Sequence, residues 1–335
     1  MSWSQPTPML KFMIDPSKMK ILFVADPLEG FKVKKDTTFA MMRECAKRGM
    51  QIYACQASDV FWSSGDVVKA SVSHLQFNPG QETHWFERRA TGVESLSAFS
   101  AVLMRKDPPF DVEYFYATHL LSHAQRDGAR VFNDPTALRE HPEKLAILNF
   151  PHLISPTLVS KNPDQIKAFH QEHQDIILKP LDGMGGKGIY RVKPDGLNLG
   201  SLIETLNMEG TQTVMVQRFI PDIKSGDKRI LLINGKPVPY CLARIPQGTE
   251  VRGNLAAGGL GVAKALTSKD LEIAHELGPV LVRKGLFLVG LDVIGDRLTE
   301  INVTSPTCFQ EITDQTGFDV AAHFVDELVL QLEGH

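Results

Sequence analysis

The sequence predicts an α/β fold that opens with a largely parallel, open sheet. Compact apolar runs of strand length alternate with amphipathic helical stretches from Lys20 to about residue 141. The 335 residues exceed what one ordinary core encloses, so two or three packed units are expected. Beyond residue 141, prolines and glycine-rich loops separate shorter strands, which marks a change of architecture.

In order, KILFVAD (20–26) predicts a strand, TTFAMMRECAKRG a helix ended by Gly49, and QIYACQ the next strand. AVLMRKDPPFD, the helical YFYATHLLSHAQRDG and the strand RVFNDP complete an α/β domain over 20–141. Ligand contacts belong at the strand ends of such a sheet, which singles out Arg105 in MRKDPPFD. HPEKLAILNFPHLISPTLVSKN reads as a passage between domains. The helix PDQIKAFHQEHQ, strands DIILKP and GIYRVK, helix LGSLIETL and strand TVMVQRFI make a small α+β unit at 142–219. From 220 to 335, RILLI and KPVPYCLARI meet at an Asn234-Gly235 hairpin turn. A glycine-rich loop (245–261), the helix SKDLEIAHELGPVLVRKG and a hairpin within 286–302 follow.

Hydrophobic residues make up 43% and charged residues 22%, a globular composition. The formal charge of -3 supplies no global attraction to nucleic acid or an acidic membrane, so neither is an expected partner. No apolar run reaches the ~20 residues of a membrane span. Residues 1–19 lack a secretory h-region and read as a loose extension. Cys45, Cys55, Cys241 and Cys308 form no C-x-x-C pair, which fits reduced, mostly buried thiols of a cytoplasmic protein.

Three stretches carry chemistry. In GLDVIGDRLTEIN, Asp292 and Glu300 lie four residues on either side of Asp296. A turn centred there opposes the two carboxylates, with Asn302 on the face of Glu300. Opposed like charges repel unless a cation lies between them, and hard oxygen donors suit Mg²⁺; the alternative is a solvated acidic hairpin. The loop Lys179–Gly188 follows one strand and precedes another. Its amides at Gly183, Gly185, Gly186 and Gly188 can close on an anion beside Lys179 and Lys187, or its glycines serve only a turn. It matches neither a Walker loop nor a dinucleotide fingerprint. IPQGTEVRGNLAAGGLG (245–261) is long enough to be a lid or a surface insertion. Lys144, Lys179, Arg229 and Arg244 add cations directed toward one cleft, although singly each reads as a surface charge. None of the eleven histidines sits in a recognisable triad.

Taken together, MRKDPPFD, ILKPLDGMGGKGIYRV, GDKRILLINGKPVPYCLARIPQG, RGNLAAGG and GLDVIGDRLTEINVTSPT resemble, in content and order, the bacterial glutathione synthetase family of the ATP-grasp superfamily. The resemblance runs from about Lys20 to the C-terminal helix. It implies an ATP-grasp fold behind a Rossmann-like N-terminal domain, with ATP as co-substrate bound between the second and third units. Lys144 and Lys179 would approach the nucleotide, Gln217, Arg218, Phe219 and Ile220 would flank adenine, and Asp227 would lie on the nucleotide side. The loop Gly183, Met184, Gly185 and Gly186 would cover the phosphates. Asp292, Glu300 and Asn302 would hold two Mg²⁺ ions, with Mn²⁺ an alternative. Arg229, Arg244 and the lid residue Arg252 would be catalytic, while Arg105, Asn302 and Ser305 would hold the peptide substrate. The implied reaction joins γ-glutamylcysteine to glycine through an acyl phosphate, in a cytoplasmic homotetramer.

One departure from the family pattern is Leu260, where relatives carry Arg after Gly-Gly. Two other readings compete: a different ATP-grasp carboxylate–amine ligase, and a nucleotide-binding scaffold of the synapsin kind that has lost catalysis. MRKDPPFD and NVTSPT weigh against the first, and the complete Asp292, Glu300, Asn302, Arg229 and Arg244 set against the second.

Overall fold

The computed structural model describes residues 15–334 apart from 79 and 82. Most of the extension read at 1–19 therefore lies outside the described residues. Its last member does not behave as an extension: Met19 is buried at 2% exposure and its carbonyl accepts from Gln51 N.

The N-terminal sheet contains β1 (Lys20–Val24), β2 (Gln51–Cys55), β3 (Val60–Phe61), β4 (Lys69–Phe77), β5 (Phe86–Ser95), β6 (Ala101–Met104) and β7 (Val131–Phe132). Its order is β3-β4-β2-β1-β6-β7, with β5 on the other side of β4. Pairing is parallel among β2, β1, β6 and β7, and antiparallel at β3, β4 and β5. Helix α1 (Thr37–Lys47) connects β1 to β2, and α2 (Val112–Arg126) connects β6 to β7. Each starts on an aspartate whose carboxylate accepts a free first-turn amide: Asp36 from Phe39 N and Asp111 from Tyr114 N. The β4–β5 hairpin is an addition to the sequence expectation. Seven of the ten β5 residues are exposed and none is buried, so the strand carries no apolar alternation from which to be recognised.

After the short α3 (Pro135–Glu140), β8 (Thr157–Ser160), α4 (Pro163–His173), β9 (Ile176–Pro180), β10 (Tyr190–Val192), α5 (Leu199–Leu206) and β11 (Val214–Arg218) form the second unit. Its sheet is antiparallel, ordered β10-β9-β11-β8. Strand β8 lies inside the proline-rich passage that reads from sequence as a linker. A separate apolar core, including Ile166, Ile176, Leu178, Ile203 and Val216, lies beneath this sheet.

The third sheet, β14-β13-β12-β15-β16, is antiparallel throughout. It is built from β12 (Asp227–Ile233), β13 (Lys236–Ile245), β14 (Leu260–Ala265), β15 (Leu288–Ile294) and β16 (Arg297–Asn302). Helix α6 (Ser268–Arg283) precedes β15, and α7 (Phe309–Thr316) and α8 (Val320–Glu333) end the chain. Asn234 and Gly235 both have positive φ, as the two-residue hairpin turn requires.

The two larger cores each draw from the first and third sheets, so these sheets form one mass, while the four-stranded unit keeps a core of its own and adds Met215 to one of the shared cores. Helix α8 packs back on the N-terminal domain, where Arg48 binds Asp326 at 2.6 Å and the carbonyl of Ala322 at 2.9 Å. Asn133 fastens the same junction. Its amide donates to Leu288 O and Val303 O and accepts from Leu288 N.

Candidate active site

The register of the third sheet builds one charged face. Asp227 and Arg229 alternate on β12; Arg244 lies across from Asp227, Asp292 across from Arg229, and Glu300 across from Asp292. The turn of the last hairpin is Gly295-Asp296 and is not centred on Asp296, as the sequence reading assumed. An extra residue at Thr299 bulges β16 and restores the opposition of Asp292 and Glu300. The bulge also turns the Thr299 carbonyl to accept from Lys179 Nζ at 3.2 Å.

The expectation that these carboxylates need an intervening cation is modified by the guanidinium groups. Arg229 Nε and Nη2 donate to the two oxygens of Asp292 at 2.5 and 3.0 Å, and Arg244 Nη2 reaches Asp292 at 2.8 Å and Asp227 at 2.5 Å. Glu300 accepts from Lys144 at 3.1 Å. Burial raises the Asp292 pKa, but the two arginines outweigh it and hold the carboxyl well below its usual range. Burial, reinforced by the Asp292 charge, pushes Asp227 up to about 6 against the pull of Arg244. Burial depresses Lys179 to about 8, although Glu300 draws it upward. Glycine is required at 290: a Cβ there would come within 2.7 Å of Arg229 Cδ, which crosses the strand to reach Asp292.

These groups face a cavity of about 500 Å³, within the range of small-molecule sites. Strands β9 and β11 supply Lys179, Gln217 and Arg218, and the chain beyond supplies Phe219 and Ile220. Gln217 is buried, its amide donating to Thr157 Oγ1, while the Arg191 guanidinium stacks 3.6 Å from the Phe219 ring centre. Gly183, Met184, Gly185 and Gly186 line the same cavity beside the lid residues Arg252 to Ala256. Loop and lid touch: Arg252 Nη1 donates to Gly186 O at 3.1 Å, and Lys144 Nζ donates to Gly183 O at 2.5 Å. The lid ends as strand rather than loop, because β14 begins at Leu260 and pairs with β13. Leu260 is exposed and lies outside the cavity lining.

Asn302 Nδ2 donates to Gly290 O, so its Oδ1 remains for another partner, and Asp227 Oδ1 is buried without one. Among the described residues, no three His, Cys, Asp or Glu side chains gather into a metal-holding group. Asp292, Glu300 and the Asn302 amide oxygen are hard oxygen donors too few to cage an ion, a set that fits a hard cation completing its shell with water and phosphate.

The prokaryotic glutathione synthetase N-terminal domain matches residues 19–139, and the prokaryotic glutathione synthetase ATP-grasp domain matches residues 143–317. The chain belongs to the prokaryotic glutathione synthetase family. It is 58% identical over 310 residues to the glutathione synthetase of Ralstonia nicotianae, covering 92% of this chain and 95% of that one. Identity to the glutathione synthetase of Nitrosomonas europaea is 54% over 311 residues, covering 92% and 97%. Solved structures similar in fold include D-cycloserine synthetase DcsG (TM-score 0.65, 16% identity, 93% and 99% covered). Another is the ATP-grasp ligase PsnB with minimal precursor, Mg and ADP (TM-score 0.61, 17% identity, 98% and 100% covered).

Of the residues that the family resemblance singles out, all but Arg105 line the cavity. Arg105 is buried behind the wall, donating to Thr38 Oγ1 and Pro306 O. It therefore supports the Ser305–Pro306 segment, with Ser305 Oγ itself bound to Asp107 at 2.5 Å. Sequence reasoning missed Glu143, whose Oε1 accepts from Val303 N, Thr304 N and Thr304 Oγ1 and fastens the end of β16 beside Lys144. Its place next to Lys144 was the only signal in the sequence. The lining residues Lys32, Lys35 and Glu311 were likewise missed, since charges in loops and on a short helix carry no periodic signature.

Proposed function

We propose that this cavity joins γ-glutamylcysteine to glycine with ATP, releasing ADP and phosphate, through an acyl phosphate of the cysteinyl carboxylate. The observation that carries the reading is the charged face of the third sheet, two arginines and three carboxylates in register, beneath a loop and lid already in contact. Membership of the family and the identity to glutathione synthetases support the same activity.

A carboxylate is anionic and a triphosphate more so, so their approach needs fixed positive charge. In this reading Lys144 and Lys179 take the nucleotide phosphates, while the segment from Gln217 to Ile220 receives adenine, with Asp227 nearby. The amides of Gly183 to Gly186 close on the phosphates, with Met184 at the loop tip. Arg229 and Arg244, oriented by Asp292, balance the negative charge that develops as the carboxylate oxygen bonds to the γ-phosphorus and the β–γ bridge breaks. Glycine then adds through its neutral amine, expelling phosphate. Ser305 positions the peptide and Arg105 stiffens that segment from behind. Arg252, with the lid across the site, keeps water from the acyl phosphate. Asp292, Glu300 and Asn302 would hold two Mg²⁺ ions, or Mn²⁺, which when bound would screen the phosphate charge.

The division into an N-terminal domain (20–141), a central unit (142–219) and a C-terminal unit (220–335) belongs to this reading, as do a cytoplasmic location and a homotetramer. Coupled assays of phosphate release, omitting ATP, magnesium, γ-glutamylcysteine or glycine in turn, test it. Glutathione should form only in the complete mixture. Glu300→Gln should lower kcat by at least about 10²-fold with ATP binding kept; turnover with another substrate pair and none with this one overturns the assignment.

A further inference from the structure

Phe219 lines the cavity just beyond β11, in the segment given to adenine in the reading above. Its main chain is anchored: Arg218 N donates to Pro156 O and Phe219 N to Asp175 O, each at 2.9 Å. An anchored backbone still leaves the ring its own side-chain torsions. A flat apolar wall suits a flat base only while it keeps one orientation. The turning of the ring is opposed from behind the cavity wall. Arg191, in the middle of β10 and outside the cavity lining, lays its guanidinium over the Phe219 ring, 3.6 Å from the ring centre. Asp175 immediately precedes β9, which lies between β10 and β11. Its carboxylate grips the guanidinium as a fork, accepting from Nε at 2.9 Å and from Nη2 at 2.6 Å. One aspartate thus fixes Phe219 twice, through its carbonyl at the backbone and through its carboxylate and Arg191 at the ring. Both charged side chains keep a solvent edge, at 26% and 29% exposure, so the pair adds little to stability and its planar geometry is what matters.

Given the placement of adenine proposed above, on which this inference rests, we propose that Arg191 is a positioning residue for the nucleotide. Pinned by Asp175, it holds the Phe219 ring as one wall of the base slot and so sets the affinity for the base, away from the phosphates and the reacting atoms. Lys144, Lys179 and the loop from Gly183 to Gly186 serve the other end of the nucleotide, so the two ends separate in a binding experiment.

Calorimetric titration of the full chain in magnesium with β,γ-imido-ATP, and with inorganic tripolyphosphate, which has no base, measures the two ends apart. In Arg191→Met the Kd for β,γ-imido-ATP should rise about 3–30-fold, the size of one cation–π contact. The Kd for tripolyphosphate and the KM values for γ-glutamylcysteine and glycine should stay unchanged, and in turnover the effect should fall on the KM for ATP and not on kcat. Arg191→Lys keeps the charge and loses the planar fork, so it should recover only part of the affinity; it decides the matter should Arg191→Met fail to fold. The double variant Arg191→Met, Phe219→Leu should bind β,γ-imido-ATP no more weakly than Phe219→Leu alone, because Arg191 acts through the ring. Unchanged affinity in Arg191→Met, an equal loss for both probes, or additive losses in the double variant overturns the role given to Arg191. A wild-type protein that holds tripolyphosphate as tightly as β,γ-imido-ATP overturns the placement of adenine instead, so the two failures are distinct.

Discussion

Lys179 illustrates how one residue's surroundings set the working range of the site. Its ammonium is buried on β9 against Thr299 O, and that burial lowers its pKa from 10.5 to about 8. Above pH 8 the free enzyme loses the Lys179 charge, which in the proposed reading meets the nucleotide phosphates. Hence kcat/KM for ATP should fall about tenfold per pH unit on that limb, and Lys179→Arg should flatten it, as pH–rate profiles will reveal. Stability responds in the opposite sense. A depressed lysine pKa means that the folded chain binds fewer protons than the unfolded one between about 8 and 10.5, so the cost of burying the charge is complete below 8 and relieved as pH rises through that window. Lys179 was legible as a site residue because it opens a glycine-rich loop. Its contact with Thr299 was not, since that contact depends on a bulge with no mark in the sequence.

At the scale of elements, the proposed lid is placed by backbone proximity. Gly253 admits no Cβ, because one would run into the carbonyl of Arg244, and Asn254 Oδ1 would lie 2.6 Å from a Cβ at Gly186. The segment at Gly253 therefore lies against β13 at a distance that only glycine permits, and Gly186 leaves room for the Asn254 side chain. Gly253→Ala should leave the fold intact, lower kcat by about 10²-fold through misplacement of the lid, and uncouple the reaction. Phosphate released per glutathione formed should rise above one; tight coupling at the wild-type rate contradicts the water-excluding role. The pairing of Asp292 with Glu300 was readable from their spacing, although it rests on a turn at Gly295-Asp296 and the Thr299 bulge and not on a turn centred at Asp296. Strands β5 and β14 were not, because exposed edge strands lack a buried face.

Over the whole molecule, the first and third sheets share two cores, and the four-stranded unit has a core of its own. The cavity lies where that unit meets the rest, a natural place for opening and closing around a nucleotide. The rigid side of this junction depends on Asn133. Asn133→Ala removes three buried hydrogen bonds and leaves Leu288 N, Leu288 O and Val303 O without that partner. It should destabilise the fold by about 2–4 kcal/mol, read as a lower thermal midpoint; an unchanged midpoint would show the amide to be dispensable. The four cysteines are buried and free, and burial raises every one of their thiol pKa values, Cys45 and Cys55 to about 12 and Cys241 to about 11, so none is poised as a nucleophile.

The residue sequence by itself determined the α/β order of the first domain, the Asn234-Gly235 turn, the glycine loop and the spacing of the acidic hairpin, because each depends on periodicity or on local φ preferences. Its longer signature strings also pointed to the family. Only the tertiary structure decided that Asp292 is gripped by two arginines, that Arg105 lies behind the wall, and that Glu143 and Glu311 join the site. These depend on contacts between chain segments up to 277 residues apart. Such contacts are set by sheet register and core packing, which no local pattern records.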